Sequence, residues 1–392
     1  MIDTGLTINK PSLRQLAWMA LYIGITGYGG GPAIMAYARQ IFVERLRWAS
    51  ADDFATSISL SQLLPGANAL GVMTFLGYRI GGSPGALLSA VCFLFPSFVF
   101  MTVLSAAYFT WGNLPVVTSL FVGLGALVVA LLVNALVSMG RPVMTEWRGI
   151  SLAAVAFVAM QFFHAPLWMV IFGGAVLGWL LFLTVDEERT VIAHAPAPRW
   201  IWWGLLALAV CAALVWFTRS SPATFFFLSM LRVGAFTFGG GFAALPLFQQ
   251  EALGNNWLTM QQFRDGIALG QVTPGPILVS ATFIGYKVLG VWGAFLGTVA
   301  VFLPGALGMF LLARQHALIN SLAPLRAMIK GVMAAFIGLI LSITITLATQ
   351  SLIDWKTWSI AILGAIALLW WKREPWQVIL VGAVVSVVAF RG

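Results

Sequence analysis

The sequence predicts an all-α polytopic membrane protein made of two homologous inverted-topology repeats with broken or re-entrant helices. Two observations carry that prediction. Of 392 residues, 60% are hydrophobic and only 8% charged, too little polar surface to clothe a water-soluble fold. The chain also repeats itself: Tyr28-Gly29-Gly30-Gly31, Trp48, Phe54, Gln62, Pro65-Gly66, Gly77-Tyr78-Arg79, Pro96 and Gly123 return in order as Phe238-Gly239-Gly240-Gly241, Trp257, Phe263, Gln271, Pro274-Gly275, Gly285-Tyr286-Lys287, Pro304 and Gly331. The offset shrinks only from 210 at Gly29/Gly239, through 209 at Gln62/Gln271, to 208 at Gly77/Gly285. Ordered matches with so little drift imply duplication, and a duplicated membrane unit with helix breakers at matched positions points to a transporter site.

Apolar runs long enough, or nearly so, to cross roughly 30 Å of hydrocarbon begin near residues 84, 115, 149, 166, 200, 292, 326, 357 and 376. Residues 1–12 are polar, and the first apolar run already carries the repeat, so no cleavable leader is expected. An N-terminal membrane repeat is expected over 1–185 and a C-terminal one over 223–392. Between them, 186–222 hold the polar stretch Asp186 to Arg199, read as a cytoplasmic linker, and a Trp-rich span over 200–217 without a counterpart.

The regions 13–47 and 52–80, with mates 223–252 and 261–287, are each broken near the middle. Gly29 to Gly31 with Pro32, and Gly239 to Gly241, interrupt one pair; Pro65-Gly66, and Pro274-Gly275-Pro276, interrupt the other. Proline removes a backbone donor and glycine lowers helix propensity, so unbroken spans are disfavoured. Such backbone is tolerated at membrane depth only against protein or a water-filled cavity. If these segments fold back as hairpins, Arg39, Arg45 and Arg47 join the inner side and Arg264 the outer, which sharpens the inner excess of Lys and Arg. Hairpins are therefore preferred to four further crossings. Either way an odd number of crossings separates corresponding elements, so the halves are inverted.

The formal charge of +9 does not signal nucleic acid, because basic residues sit singly or in pairs as topology signals. Cys92 and Cys211 lie in apolar stretches without metal or disulfide spacing. His164, His194 and His316 fall in loops or at helix ends. The tryptophans, Trp200, Trp202, Trp203, Trp370 and Trp371 among them, suit interfacial belts. No P-loop, catalytic triad, metal-ligand cluster or paired carboxylates is present, so neither a metal, a cofactor nor direct ATP coupling is expected.

Successive glycines can turn backbone N–H groups into one concavity, and a helix starting there adds a positive dipole end. Gly29, Gly30, Gly31 and Gly239, Gly240, Gly241 are thus candidate anion cradles, against the plainer reading of close helix packing. Gln62, Asn68, Gln271 and Thr273, beside the second breaks, supply amides and a hydroxyl that can bind an oxyanion or merely satisfy broken backbone. Arg39 follows the first glycine knot and offers a planar fork for an oxyanion. Arg79 and Lys287 fit snorkelling as well as ligand contact. Glu44, Asp53, Glu251 and Asp265, like Asp52, fall in or beside the broken segments, as partners of Arg45, Arg47 or Arg264 or as proton carriers.

The runs Phe236-Thr237-Phe238-Gly239-Gly240-Gly241, Leu245-Pro246, Trp257-Leu258-Thr259, Ala268 to Pro276 and Phe283-Ile284-Gly285-Tyr286 resemble the chromate transporter family. The first half repeats the resemblance through Gly29 to Pro32, Glu44-Arg45, Trp48, Leu60 to Gly66 and Gly77-Tyr78-Arg79, as in the long, two-domain form. The resemblance implies movement of chromate, and of its mimic sulfate, across the inner membrane. It implies efflux drawing on membrane potential or a proton gradient, and an inverted duplication. Gly66-Ala67-Asn68 stands where the family favours Gly-Pro-Asn, and the first glycine knot is displaced by one, which leaves the cargo open. The expected partners are a small inorganic oxyanion and the lipid bilayer, not nucleic acid, with room for a homodimer. The alternatives are an importer of sulfate or a related divalent oxyanion, a channel, and, more remotely, a membrane enzyme acting on lipid-linked substrates.

Overall fold

The computed structural model describes residues 11–112, 114–182, 221–314 and 323–390. Among these residues the regular structure is entirely helical. The linker over 186–199, the span over 200–217, Cys211, His194 and His316 lie outside the described residues.

In the first half, α1 (Leu13–Thr26), α2 (Gly30–Arg39, continued by a π-turn over Gln40–Arg45), α3 (Ala51–Leu63) and α4 (Asn68–Trp111) lead to α5 (Pro115–Val143), α6 (Trp147–Gln161) and α7 (Leu167–Phe182). The second half repeats the series: α8 (Pro222–Phe236), α9 (Ala244–Gly254, entered through a 3-10 turn at Gly241–Ala243), α10 (Met260–Val272), α11 (Ser280–Arg314, preceded by a 3-10 turn at Ile277–Val279), α12 (Ala323–Ser351), α13 (Trp355–Leu369) and α14 (Pro375–Ala389). Helix starts are locally encoded. Ser12 with Gln15 and Thr259 with Gln262 form capping boxes, and Pro115, Pro222 and Pro375 stand in first turns where a missing N–H costs nothing.

Both α4 and α11 double back. Gly82 (φ 64°, ψ −153°) and its mate Gly290 (φ 62°, ψ −145°) leave the helical region, and the flanking limbs touch. A Cβ on Gly77 would strike Gly85 and Ser89, and Gly285 meets Gly293. Thr282 and Thr298, sixteen residues apart, share a 2.7 Å hydrogen bond. Limb 68–80 therefore returns along limb 83–111, and it also pairs with α3, through Arg79 to Asp53 at 2.7 Å near one end and Gly71 against Ser61 near the other. The segment over 51–80 is a re-entrant hairpin with its tip at 64–67.

The glycine-broken segments fold back too. Tyr22 of α1 and Tyr37 of α2 lie with ring centroids 6.2 Å apart, and Trp257, after α9, packs on Phe225 and Phe226 at the start of α8. Each half thus has two hairpins that enter from one side, followed by a long crossing. Among the described residues, four helices are long and apolar enough to cross a membrane: Asn68–Trp111, Pro115–Val143, Ile277–Ala313 and Arg326–Ser351. The shorter α6, α7, α13 and α14, of 15 or 16 residues, reach about 22–24 Å.

The halves are inverted. Tyr108 and Phe109, at the end of α4, pack on Phe283 and Tyr286 just before the turn that starts the second limb of α11. Tyr78, just before the first limb of α4 ends, packs on Phe310 near the end of α11. The crossing limbs therefore run antiparallel. The outer hairpins are exchanged between halves: α6 and α7 pack on α12, and α13 and α14 on α5. The repeat glycines mediate this, Gly123 against Ser386 and Gly331 against Gly174 and Gly178. A mated bond closes each hairpin, Arg148 donating to the Leu181 carbonyl and Lys356 to that of Ala389, each at 2.9 Å.

Candidate functional site

The four breaks meet in crosswise pairs. Gly66 N–H donates to the Thr237 carbonyl at 2.7 Å, and Gly275 N–H donates to the Gly27 carbonyl at 2.9 Å. These bonds are mates under the repeat, so the tip of each α3- or α10-bearing hairpin is bound to the glycine break of the other half. Gly66 lies against Gly305, and Gly275 against Ser97, the residues that follow the mated Pro304 and Pro96.

Beside these contacts lie the two glycine knots. Gly29 and Gly30 (φ 95° and 78°) are the N-cap and first residue of α2, and Gly239 and Gly240 (φ 88° and 115°) precede the turn into α9. Nothing stands within 4 Å of where a Cβ would project on Gly30, Gly31 or Gly240, whereas on Gly241 it would run into Ile277. The first cradle is the more open.

Polar groups without a protein partner cluster at the second breaks. Asn68 Oδ1, Gln271 Nε2 and Ser97 Oγ are buried with no hydrogen-bond partner among the described residues, as is Ser89 Oγ against Gly77, away from the breaks, a state that costs about 1–3 kcal/mol each unless a ligand or water meets it. Thr273, in contrast, donates its hydroxyl to the Gly270 carbonyl at 2.9 Å, and Gln62 is exposed.

Arg39 lies away from the knots' partners: its side chain is 58% exposed and pairs with an equally exposed Glu44 at 3.4 Å. The other acidic candidates are also paired. Asp53 binds Arg79 at 2.7 Å, and Glu251, 10% exposed, binds Arg232 at 3.1 Å. Asp265, 1% exposed, binds Arg264 at 3.4 Å and accepts from Tyr108 at 2.8 Å. Of the pairings expected from sequence, only that of Asp265 with Arg264 forms; Glu44 pairs with Arg39, five residues before it on the helix that continues α2 through the π-turn, and Asp53 with Arg79, which the hairpin returns beside it. Lys287, the mate of Arg79, lies over the Phe109 ring at 5.2 Å.

A family model described as Chromate transporter matches residues 14–179 and 224–387, one segment per repeat. The chain belongs to the chromate transporter family. Among curated proteins it is 31% identical to a chromate transport protein of Cupriavidus metallidurans over 97% of this chain and 94% of that one. It is 31% identical to one from Pseudomonas aeruginosa over 93% and 88%. An uncharacterized transporter of Methanocaldococcus jannaschii is 27% identical over 93% and 91%. No solved structure matches the chain.

In this member of the chromate transporter family, three residues join the site region that sequence reasoning passed over. Ser97, fully buried, touches Gly275; its only signal was adjacency to the repeated Pro96. Tyr108 reaches Asp265 from the other half. Glu374 sets its carboxylate against Gly29, from a link 345 residues away in sequence that no motif connects to the knot.

Proposed function

We propose that the chain carries a tetrahedral divalent oxyanion, chromate foremost, out across the inner membrane by alternating access. The observation that carries this reading is the crosswise pairing of breaks between inverted repeats, which brings two glycine knots and the unpartnered Asn68, Gln271 and Ser97 groups to one level of the fold. Amide N–H groups of Gly29 to Gly31 and Gly239 to Gly241, with the Gln62, Asn68, Gln271 and Thr273 side chains, bind the oxygens, and Arg39, at the far end of α2 from the first knot, adds positive charge along the approach.

Unequal packing of the mated hairpins supports movement between two states. The helix α10 packs against α5 and α14, whereas its mate α3 makes no comparable contact with α12 or α7. Residues 243–248 are buried throughout, whereas α2 buries only Ile34 and Ala38. The arrangement is closed on the side from which α8 enters and looser on the side from which α1 enters. Exchanging these packings between halves opens the opposite side. Membrane potential or a proton gradient supplies the driving force.

The test is radiolabelled chromate uptake into inverted membrane vesicles energised by respiration, with sulfate and molybdate as competitors. Energy-dependent uptake that sulfate blocks is expected. Uptake no greater than in membranes lacking the protein overturns chromate as cargo.

A further inference from the structure

We infer that Glu374 is a proton-binding group that shares the first glycine knot with the transported oxyanion, so that oxyanion and proton bind together. This rests on the oxyanion reading above and adds a coupling group to it.

The geometry is specific. Glu374 ends the link over 370–374 and precedes Pro375 at the start of α14. Its carboxylate lies so close to Gly29 that a side chain there would overlap it. Tyr28 and Trp376, with centroids 5.5 Å apart, fasten the same two segments. Gly29 is the N-cap of α2 and has no side chain with which to cap it. The free first-turn amides and dipole end there favour one negative group, and an ionised carboxylate and a divalent oxyanion repel each other across that short distance.

Glu374 is the N-cap of α14, in a capping box with Gln377. Each of Glu44, Asp53, Glu251 and Asp265 has an arginine partner; Glu374 has no ion pair among the described residues. Tyr28, in the link before α2, packs on Trp376, two residues past Glu374. On its own link, Lys372 is exposed and Arg373 lines the groove between α13 and α14. Of the elements packed on α14, α5 carries no charge before Arg141, α13 brings Lys356, which is bound at the far end to Ala389, and α10 brings Arg264 and Asp265, which satisfy each other. Burial pushes the Glu374 carboxyl above its ordinary value. The mate of Glu374 in the first half is Pro166, so the second knot has no corresponding acid.

The linkage has a definite sign. A proton taken from solution by the carboxylate removes its negative charge from the knot, so oxyanion affinity rises as pH falls. Reciprocally, oxyanion binding raises proton affinity by the same factor. The bound proton lowers the net charge carried to about one negative charge; because a proton leaving with the oxyanion moves against an inward proton gradient, the membrane potential acting on that remaining charge is the driving force left for export.

The experiment adds chromate to weakly buffered, detergent-solubilised protein, at a pH well above chromate's own protonation, and follows binding by calorimetry and protons with an indicator dye. The wild type is expected to take up protons on binding, and Glu374→Gln to bind without uptake. Chromate binding by the wild type with no uptake, or uptake unchanged in Glu374→Gln, overturns the inference and leaves the transport reading standing. No chromate binding by well-folded wild type overturns both. If Glu374→Gln does not yield folded protein, chromate-induced infrared difference spectra decide: a protonated-carboxyl band is expected in the wild type and shifted in Glu374→Asp, and an unshifted band sinks the inference.

Discussion

Gly66 and Gly275, at φ 100° and 102°, show how much one residue can determine here. Each offers its N–H to the other half, and each must lack a side chain both for its backbone conformation and for its neighbour. Alanine in such a region costs about 1–3 kcal/mol of strain, and at 275 it also overlaps Ser97. Gly275→Ala is therefore expected to lower the unfolding temperature and to stop vesicle transport. Adding Ser97→Gly, which recreates the Gly305 environment of the mated site, should recover the overlap but not the strain; no recovery would show that the contact with Ser97 is not limiting. Arg39→Gln removes an exposed pair worth at most about 1 kcal/mol, so stability should be unchanged. A tenfold loss of chromate affinity is the outcome expected of its proposed role, and unchanged affinity removes Arg39 from the site.

For the elements, proline and glycine decide where a helix stops, but not whether the chain then continues or returns. Tyr22 on Tyr37, Trp257 on Phe226, and Arg79 on Asp53 record the return in three of the four broken segments, and Gly270 against Ser280 records it in the fourth. Arg45→Cys should consequently react with impermeant reagent from the side on which α1 begins, and Gly254→Cys from the opposite side. Labelling of both from one side would refute the inverted hairpins. Exchange of α6–α7 and α13–α14 between halves depends on close glycine contacts. Gly331→Leu should force α7 off α12, costing about 1–3 kcal/mol or more, with loss of monodisperse protein on size exclusion.

At the scale of the whole molecule, the hairpins of one half are packed tightly and those of the other are not. The closed side is tied by Tyr108 and Arg264 on Asp265, with Arg264 also donating to Ser351 at 3.3 Å and lying against Gly125. That network joins α10 to α4, α5 and α12, and the mated positions, Ala55 and Thr56, cannot form it. Tyr108→Phe leaves the buried carboxylate with one partner fewer. Hydrogen exchange over 260–272 should then accelerate, with 51–63 unchanged; equal acceleration in both would mean that Tyr108 supports general stability instead of one closed side.

Sequence alone determined the duplication, the positions of the breaks and the inversion. Matched glycines and prolines survive in one dimension, and the parity of apolar runs does not depend on how breaks are bridged. It also marked the helices that were found: runs predicted near 84, 115, 149, 166, 292, 326, 357 and 376 correspond to the second limbs of α4 and α11 and to α5, α6, α7, α12, α13 and α14. Only the tertiary structure decided which side chains meet. Long arginines reach whatever carboxylate the fold brings near, so Asp53 took Arg79 and Glu251 took Arg232. The approach of Glu374 to Gly29 depends on α14 crossing to the opposite repeat, and a contact made by exchange between halves leaves no local pattern in the chain.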